Sequence, residues 1–242
     1  MSLAGFRAIH QSLEQAKAWD AVNPAKAAEH RRLTALHDAA TRKADAEERE
    51  RLAVERAMRA MGAKLERSGI GERALAAVVD ADDTEALGVV KRWLPEHSLT
   101  WLALCGTKGT GKSVAATWAV RESIRTGGTG AFRRASELAK LSQFDAGAAE
   151  LEQLKRVHLL VVDDFGTELL GDYARAQLHE LFDYRHENYG RTILTSNLPW
   201  VDFKARLGER LSDRFEQAGR MSQLSPAPSM RKRRGSGRPE SA

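Results

Sequence analysis

Leu102-Ala103-Leu104-Cys105-Gly106-Thr107-Lys108-Gly109-Thr110-Gly111-Lys112-Ser113 is the stretch that decides the fold. Its first residues are apolar and strand-forming, glycine-rich sequence follows, and residues 113–125 carry a helical pattern. The spacing G-x-x-x-x-G-K-S thus sits between a strand and a helix, the context that marks a phosphate-binding loop. Gly106, Gly109 and Gly111 lack a Cβ, so the backbone can take positive φ and turn its N–H groups toward one anion. The helix N-terminus beneath adds the positive end of its dipole. Lys112 is expected to reach the β- and γ-phosphates of ATP and the Ser113 hydroxyl to ligate Mg²⁺.

Beyond this loop, strand-like and helical runs alternate. Strands are expected over 100–105, 131–133, 157–162 and 192–195, with helices over 113–125, 136–141, 148–156 and 173–188 between them. Such alternation predicts an α/β fold with a central parallel sheet covered on both faces, which accounts for the nearly unbroken apolarity of Val157-His158-Leu159-Leu160-Val161-Val162. His158 reads as a hydrogen-bonded core residue. Upstream, residues 1–68 read as wholly helical. Leu3, Phe6, Ile9, Leu13 and Ala16 recur at helical spacing, and Asn23-Pro24 offers an N-cap followed by proline at the first helical position. Leu33, Leu36 and Ala40 form one narrow apolar stripe, and Val54, Ala57, Met58, Met61 and Leu65 another. They suit a long helix folded as a hairpin, wound in a coiled coil, docked on another protein or simply solvated. Three regions are expected: a helical partner-binding segment over 1–68, a nucleotide-binding domain over 69–224, and a basic, disordered tail over 225–242 containing Arg231-Lys232-Arg233-Arg234.

Composition sets the outer bounds. With 242 residues, the chain can bury one sizeable core plus an appendage. No apolar run approaches the roughly 20 residues of a membrane span, and the N-terminus lacks the order of a signal peptide, so a cytoplasmic location is expected. The single cysteine, Cys105, reads as a small core residue in a reducing compartment. Thirty-eight basic against 33 acidic side chains give a net +5, a modest pointer to a polyanionic partner.

Leu159-Leu160-Val161-Val162-Asp163-Asp164 is an apolar strand ending in two carboxylates. In open α/β sheets, ligands bind at the carboxyl ends of the strands, so both acids should reach the edge that carries the glycine-rich loop. Neighbours on a strand point to opposite sides. Asp163 is therefore expected to serve Mg²⁺, through its water shell or beside Ser113, and Asp164 to orient or deprotonate an attacking water. The strand over 192–195 ends in Ser196-Asn197 at the same edge, where the Asn197 amide can bond both water and γ-phosphate. A helix read over 206–215 puts Arg210 and Arg214 one turn apart on one face, either solvated and paired with Glu209 or Asp213 or facing a partner's phosphate.

These elements in this order, with the words Leu-Val-Val-Asp-Asp-Phe-Gly, Leu-Thr-Ser-Asn-Leu-Pro and Leu-Gly-Glu-Arg-Leu-Ser-Asp-Arg, resemble AAA+ ATPases of the bacterial DnaC/DnaI helicase-loader type and the related IstB transposition helpers. The likeness covers roughly residues 69–231. It implies an AAA+ P-loop NTPase preceded by an all-helical segment. Nucleotide would be held by Gly106, Thr107, Lys108, Gly109, Thr110, Gly111, Lys112, Ser113 and Val114. Asp163 and Asp164 would be the Walker B acids, Asn197 the first sensor, and Arg214, ahead of Arg210, the arginine finger acting on a neighbouring subunit's nucleotide. Gly219-Arg220-Met221 would be the closing strand. Arg231 would be a second-sensor arginine, although Met230 stands where the family has an aromatic. The resemblance also implies an ATP-dependent loader of a hexameric, DnaB-type replicative helicase onto single-stranded DNA, working as a homo-oligomer. An IstB-like helper binding DNA and a transposase is the alternative. A nucleotide kinase would share the P-loop, but it transfers to an acceptor rather than to water. Phe132, Arg133 and Arg134 fall where the family binds single-stranded DNA, and read equally well as a strand with exposed arginines.

Overall fold

The computed structural model describes residues 22–79, 83–141, 147–166 and 172–226, together with residues 14, 15, 17 and 18. The chain divides by its internal contacts into two units, Met1–Arg59 and Ala60–Ala242. In the first unit the described residues other than Asn23 are helical. Helix α1 (Pro24–Arg67) opens at the expected Asn23-Pro24 step, where the Ala27 N–H donates to Asn23 O at 3.0 Å. Within that unit Ala27 is buried, while Leu33, Leu36, Val54 and Met58 are exposed.

The second unit is an α/β fold. After α2 (Glu72–Val79) and α3 (Glu85–Trp93), strand and helix alternate through β1 (Trp101–Cys105), α4 (Lys112–Arg125), β2 (Gly130–Arg134), α5 (Ala135–Leu141), α6 (Ala148–Arg156), β3 (Leu159–Asp163), α7 (Asp172–Glu187) and β4 (Arg191–Ser196). Then follow α8 (Trp200–Leu207), α9 (Glu209–Ala218) and β5 (Gly219–Gln223). The sheet runs β2-β3-β4-β1-β5, and every pairing is parallel. All strands therefore end at one edge. The two-residue period of a strand splits its side chains between the faces. Trp101, Ala103, Cys105, Leu160, Val162 and Leu194 enter one core with Phe182, Phe203 and Phe215. Leu102, Leu104, Leu159, Val161 and Ile193 enter the other with Trp93, Ala116 and Ile124. Thr84 caps α3 by accepting the Leu87 N–H at 3.1 Å.

At the amino edge two arginines fasten helix ends. Arg185, fully buried, donates to Leu154 O (2.8 Å), Lys155 O (3.2 Å) and Val157 O (2.9 Å) at the end of α6, to Thr192 Oγ1 (3.0 Å) and to Arg191 O. Burial pushes its guanidinium down to about 9. Arg191 donates to Trp93 O and Glu96 O, each at 2.9 Å, past the end of α3 and lies 4.0 Å over the Trp93 ring. Both place positive charge at the negative end of a helix dipole.

Three expectations change. His158 lies ahead of β3 rather than inside it and is exposed, its Nδ1 3.0 Å from Ser123 Oγ. The single helix read over 206–215 is broken at Gly208, whose φ of +76° a helix interior does not admit and only glycine adopts freely. The expected closing strand forms: β5 pairs with β1 from Gly219↔Trp101 to Gln223↔Cys105, and the Leu224 N–H donates to Cys105 O at 2.8 Å. Arg133 is not a free cation. It donates to Glu150 (2.7 Å) and to Ser68 O (2.9 Å), and Phe132 packs against the core, leaving Arg134 exposed. Residues 227–242, Arg231 included, lie outside the described residues.

Candidate functional site

The site is the carboxyl edge, where β1, β3 and β4 end side by side. Gly106, Gly109 and Gly111 have φ of +153°, +92° and +86°, the left-handed turns on which the loop depends. At Gly106 a Cβ would stand 3.1 Å from Leu224 Cβ, so the loop also runs close under the end of β5. Gly111 caps α4 with no side-chain hydrogen bond, and so no side chain competes for the N–H groups of the first turn. Lys112 is buried. Its Nζ donates to Gly106 O (2.7 Å), Thr107 O (2.8 Å) and Thr110 Oγ1 (3.3 Å), while Thr110 Oγ1 donates back to Thr107 O (3.0 Å). Burial holds the Lys112 ammonium below its ordinary pKa, opposed by the charges of Asp163 and Asp164. Beside it, burial pushes the Cys105 thiol up to about 11, so it stays protonated and inert at neutral pH. Lys108 and Ser113 are exposed and Val114 half-buried.

The acids meet this loop from β3. Ser113 Oγ donates to Asp163 Oδ1 at 2.8 Å, and the same oxygen accepts Thr195 Oγ1 at 2.6 Å from β4. The strand ends at Asp163; Asp164 does not continue it but turns into the left-handed region with φ +62°. The two carboxylates are thus set apart by a change of backbone conformation, not by strand alternation as the sequence suggests. The Asp164 N–H donates to Thr195 Oγ1 at 3.0 Å, and Asn197 Nδ2 donates to Asp164 Oδ1. The structure therefore brings Lys112, Ser113, Asp163, Asp164 and Asn197 to one edge. Thr195, which ties both acids to β4, was legible in the sequence only as a strand residue.

Arg210 and Arg214 lie elsewhere, on α9. Both form ion pairs with Asp183 of α7, a residue nothing in the sequence singled out. The Arg214 side chain is 18% exposed and that of Arg210 66%. Glu209 and Asp213, their expected helix partners, are not the acids that hold them.

Residues 48–224 match the family described as IstB-like ATP binding protein. Among curated proteins, one described as the insertion sequence ATP-binding protein y4pL of Sinorhizobium fredii (strain NBRC 101917 / NGR234) is 35% identical over 113 residues. That alignment spans 44% of this chain and 44% of the relative's length. The crystal structure of the DnaC helicase loader superposes with a TM-score of 0.56 at 21% identity, covering 64% of this chain and all of that one. DnaI gives 0.55 at 20% identity, covering 66% and 94%. The replication initiator DnaA bound to AMPPCP and single-stranded DNA gives 0.53 at 22% identity, covering 69% and 51%. These structures share the AAA+ P-loop NTPase fold. With the family match spanning most of its length and the phosphate loop and acids at one sheet edge, the chain belongs to the IstB-like ATP-binding protein family.

Proposed function

We propose that this ATPase is the ATP-dependent helper of a DNA transposition system, acting as an oligomer on DNA together with a transposase. The observation that carries the reading is the IstB-like match over residues 48–224, and the y4pL relative, described as an insertion sequence protein, points the same way. Loading a hexameric replicative helicase onto single-stranded DNA, the role first expected from the motif words, has the DnaC and DnaI folds in its favour. A shared fold does not choose a partner. In either role residues 1–68 grip the protein partner, residues 69–224 form the ATPase and the basic residues 225–242 lie against DNA.

Within the site, residues 106–114 cradle the phosphates and Lys112 exchanges its loop carbonyls for β- and γ-phosphate oxygens. Ser113 Oγ and Asp163 Oδ1, hard oxygens 2.8 Å apart, fit Mg²⁺, which takes one or two protein oxygens and completes its shell with phosphate and water. Bound there, the ion would neutralise charge between the β- and γ-phosphates. Asp164 and Asn197, joined to each other, hold and polarise the attacking water. Arg214 completes the site of a neighbouring subunit, and Arg231 contacts nucleotide from the tail. Hydrolysis times the release of one subunit arrangement.

The partner test is co-purification in ATP with an insertion-sequence transposase and, separately, with a hexameric helicase. Retention of the transposase with stimulation of hydrolysis supports the proposal, whereas retention of the helicase alone moves the chain to the loader role. The finger is tested by mixing. Arg214→Ala should cost about 10³ to 10⁵ in turnover, and mixing it with Lys112→Ala should restore part of the activity at shared interfaces. A mixture that stays inactive while both variants assemble removes Arg214 from the neighbour's site.

A further inference from the structure

The β3–β4 ladder ends at Val162↔Leu194, one residue short of the acids. From there Thr195 replaces the ladder with bonds of its own. Its hydroxyl donates to Asp163 Oδ1 (2.6 Å) and accepts the Asp164 N–H (3.0 Å), and its carbonyl accepts the Phe165 N–H (2.8 Å). One residue, 1% exposed, thereby fixes three successive residues leaving β3. A hydroxyl can donate and accept at once, so the atoms form one chain: Asp164 N–H to Thr195 Oγ1, Thr195 O–H to Asp163 Oδ1, with Ser113 O–H arriving at the same oxygen from the phosphate loop. Bonds linked in this way polarise one another.

Asp164 gives this chain its consequence. A non-glycine residue at φ +62° is held in a sparsely populated conformation that persists only where the surroundings over-determine it. Here two bonds do so, one from Thr195 of β4 to the backbone and one from Asn197, just past the strand, to the carboxylate. We infer that Thr195 is a positioning residue for ATP hydrolysis: its hydroxyl sets the Asp163 oxygen that faces Ser113 and locks the left-handed turn that aims Asp164. This rests on the roles assigned above to Asp163 and Asp164. Buried at 1% exposure, Thr195 acts through the two acids. Its hydroxyl ties β4 to both acids, and the Asn197 amide just past the strand adds a second hold on Asp164.

The test uses the full chain with Thr195→Val, which keeps the shape and removes the hydroxyl, Thr195→Ala, which leaves room for a water, and Thr195→Ser, which restores the hydroxyl. Steady-state ATPase kinetics, equilibrium binding of a fluorescent ATP analogue with and without Mg²⁺, and amide hydrogen exchange at Asp164 are measured. Losing an outer partner of a metal-facing group typically costs 10–100-fold. Thr195→Val should therefore lower kcat by about that factor while KM for ATP stays within about threefold, and the Asp164 amide should exchange faster. Thr195→Ser should recover kcat to within about threefold and restore the slow exchange. Should the valine protein not fold, alanine against serine gives the same contrast. A serine variant as slow as valine or alanine overturns the proposal, because packing of the methyl group would then be what matters. So does a valine variant with unchanged kcat, or one whose loss lies wholly in nucleotide affinity. Asp164→Asn is assayed in parallel: if it turns over normally, the role of Asp164 fails first, and if it is inactive while Thr195→Val is not, only the role of Thr195 fails.

Discussion

The two edges of the sheet bury charge in opposite ways. At the amino edge, Arg185 and Arg191 give their guanidinium protons mostly to backbone carbonyls at the ends of α6 and α3, with no carboxylate among those acceptors. At the carboxyl edge Lys112 rests on loop carbonyls that phosphate can replace, and the other side chains bond to side chains: Ser113 and Thr195 to Asp163, Asn197 to Asp164. A carbonyl at a helix end has few other partners, so the first arrangement is a fixture of the fold. A hydroxyl, an amide or a carboxylate can exchange partners when phosphate arrives, so the second can take part in a reaction. Burial alone would not have separated them. What differs is whether the acceptor can be given up.

The sharpest way to break this comparison is to disable one edge and look for damage of the other kind. Asp164→Asn should lower kcat by about 10² to 10⁴, the range of a positioned general base, with little change in melting temperature or ATP affinity. Arg185→Met should do the reverse. Leaving the carbonyls of Leu154, Val157 and Arg191 without their donor should cost about 3–5 kcal/mol of stability, read by urea denaturation, while kcat per folded molecule at low temperature stays within about twofold. A stability loss from Asp164→Asn as large as that from Arg185→Met would dissolve the distinction.

Arg191→Leu sharpens it by degree. This side chain makes two carbonyl bonds and one ring contact where Arg185 bonds five acceptors, so about 1.5–3 kcal/mol should be lost, again without a kinetic signature. A slower enzyme of unchanged stability would place Arg191 with the other edge.

Much of the carboxyl edge was legible because its chemistry is local in sequence. The loop spacing, the apolar run before Asp163 and the strand before Asn197 each announce an element and its end, and parallel alternation puts those ends together. What stayed hidden depends on contacts across the chain. Thr195 reads as an ordinary β-branched strand residue until β3 is laid beside it. Asp164 departs from the strand because Thr195 of β4 and Asn197 just past it capture it, which no propensity records. Arg185 looks like a solvated helix residue, since three of its acceptors lie about 30 positions upstream at the end of α6. β5 carries no apolar alternation, being an edge strand with half-buried to exposed side chains, and only its resemblance to the family's closing strand pointed to it. Gly208 was read through because the residues on either side are good helix formers.

Asp183 lies on neither edge, and the smallest predicted effect concerns it. Its carboxylate holds Arg210 and Arg214 within their own chain, yet the proposed mechanism sends Arg214 to a neighbour's phosphate. If the pair is a fixture like Arg185, removing the acid can only harm. If it is exchangeable like the bonds around Asp163, removing the acid lowers the cost of transfer. The Arg214 and Asp183 side chains are 18% and 15% exposed, so the pair is worth at least the ~1 kcal/mol of an exposed pair, or roughly fivefold in an equilibrium. Asp183→Asn should accordingly reach half-maximal specific activity at a protein concentration about fivefold lower than the unmodified chain, since each subunit surrenders its arginine more readily. The melting temperature should fall by about 2–4 °C for the lost pair. Turnover at saturating protein should be unchanged, because the arginine that reaches the phosphate is the same. If Asp183→Asn is instead slow at every concentration, Asp183 orients the finger rather than restraining it, and this pair belongs with the fixtures of the amino edge.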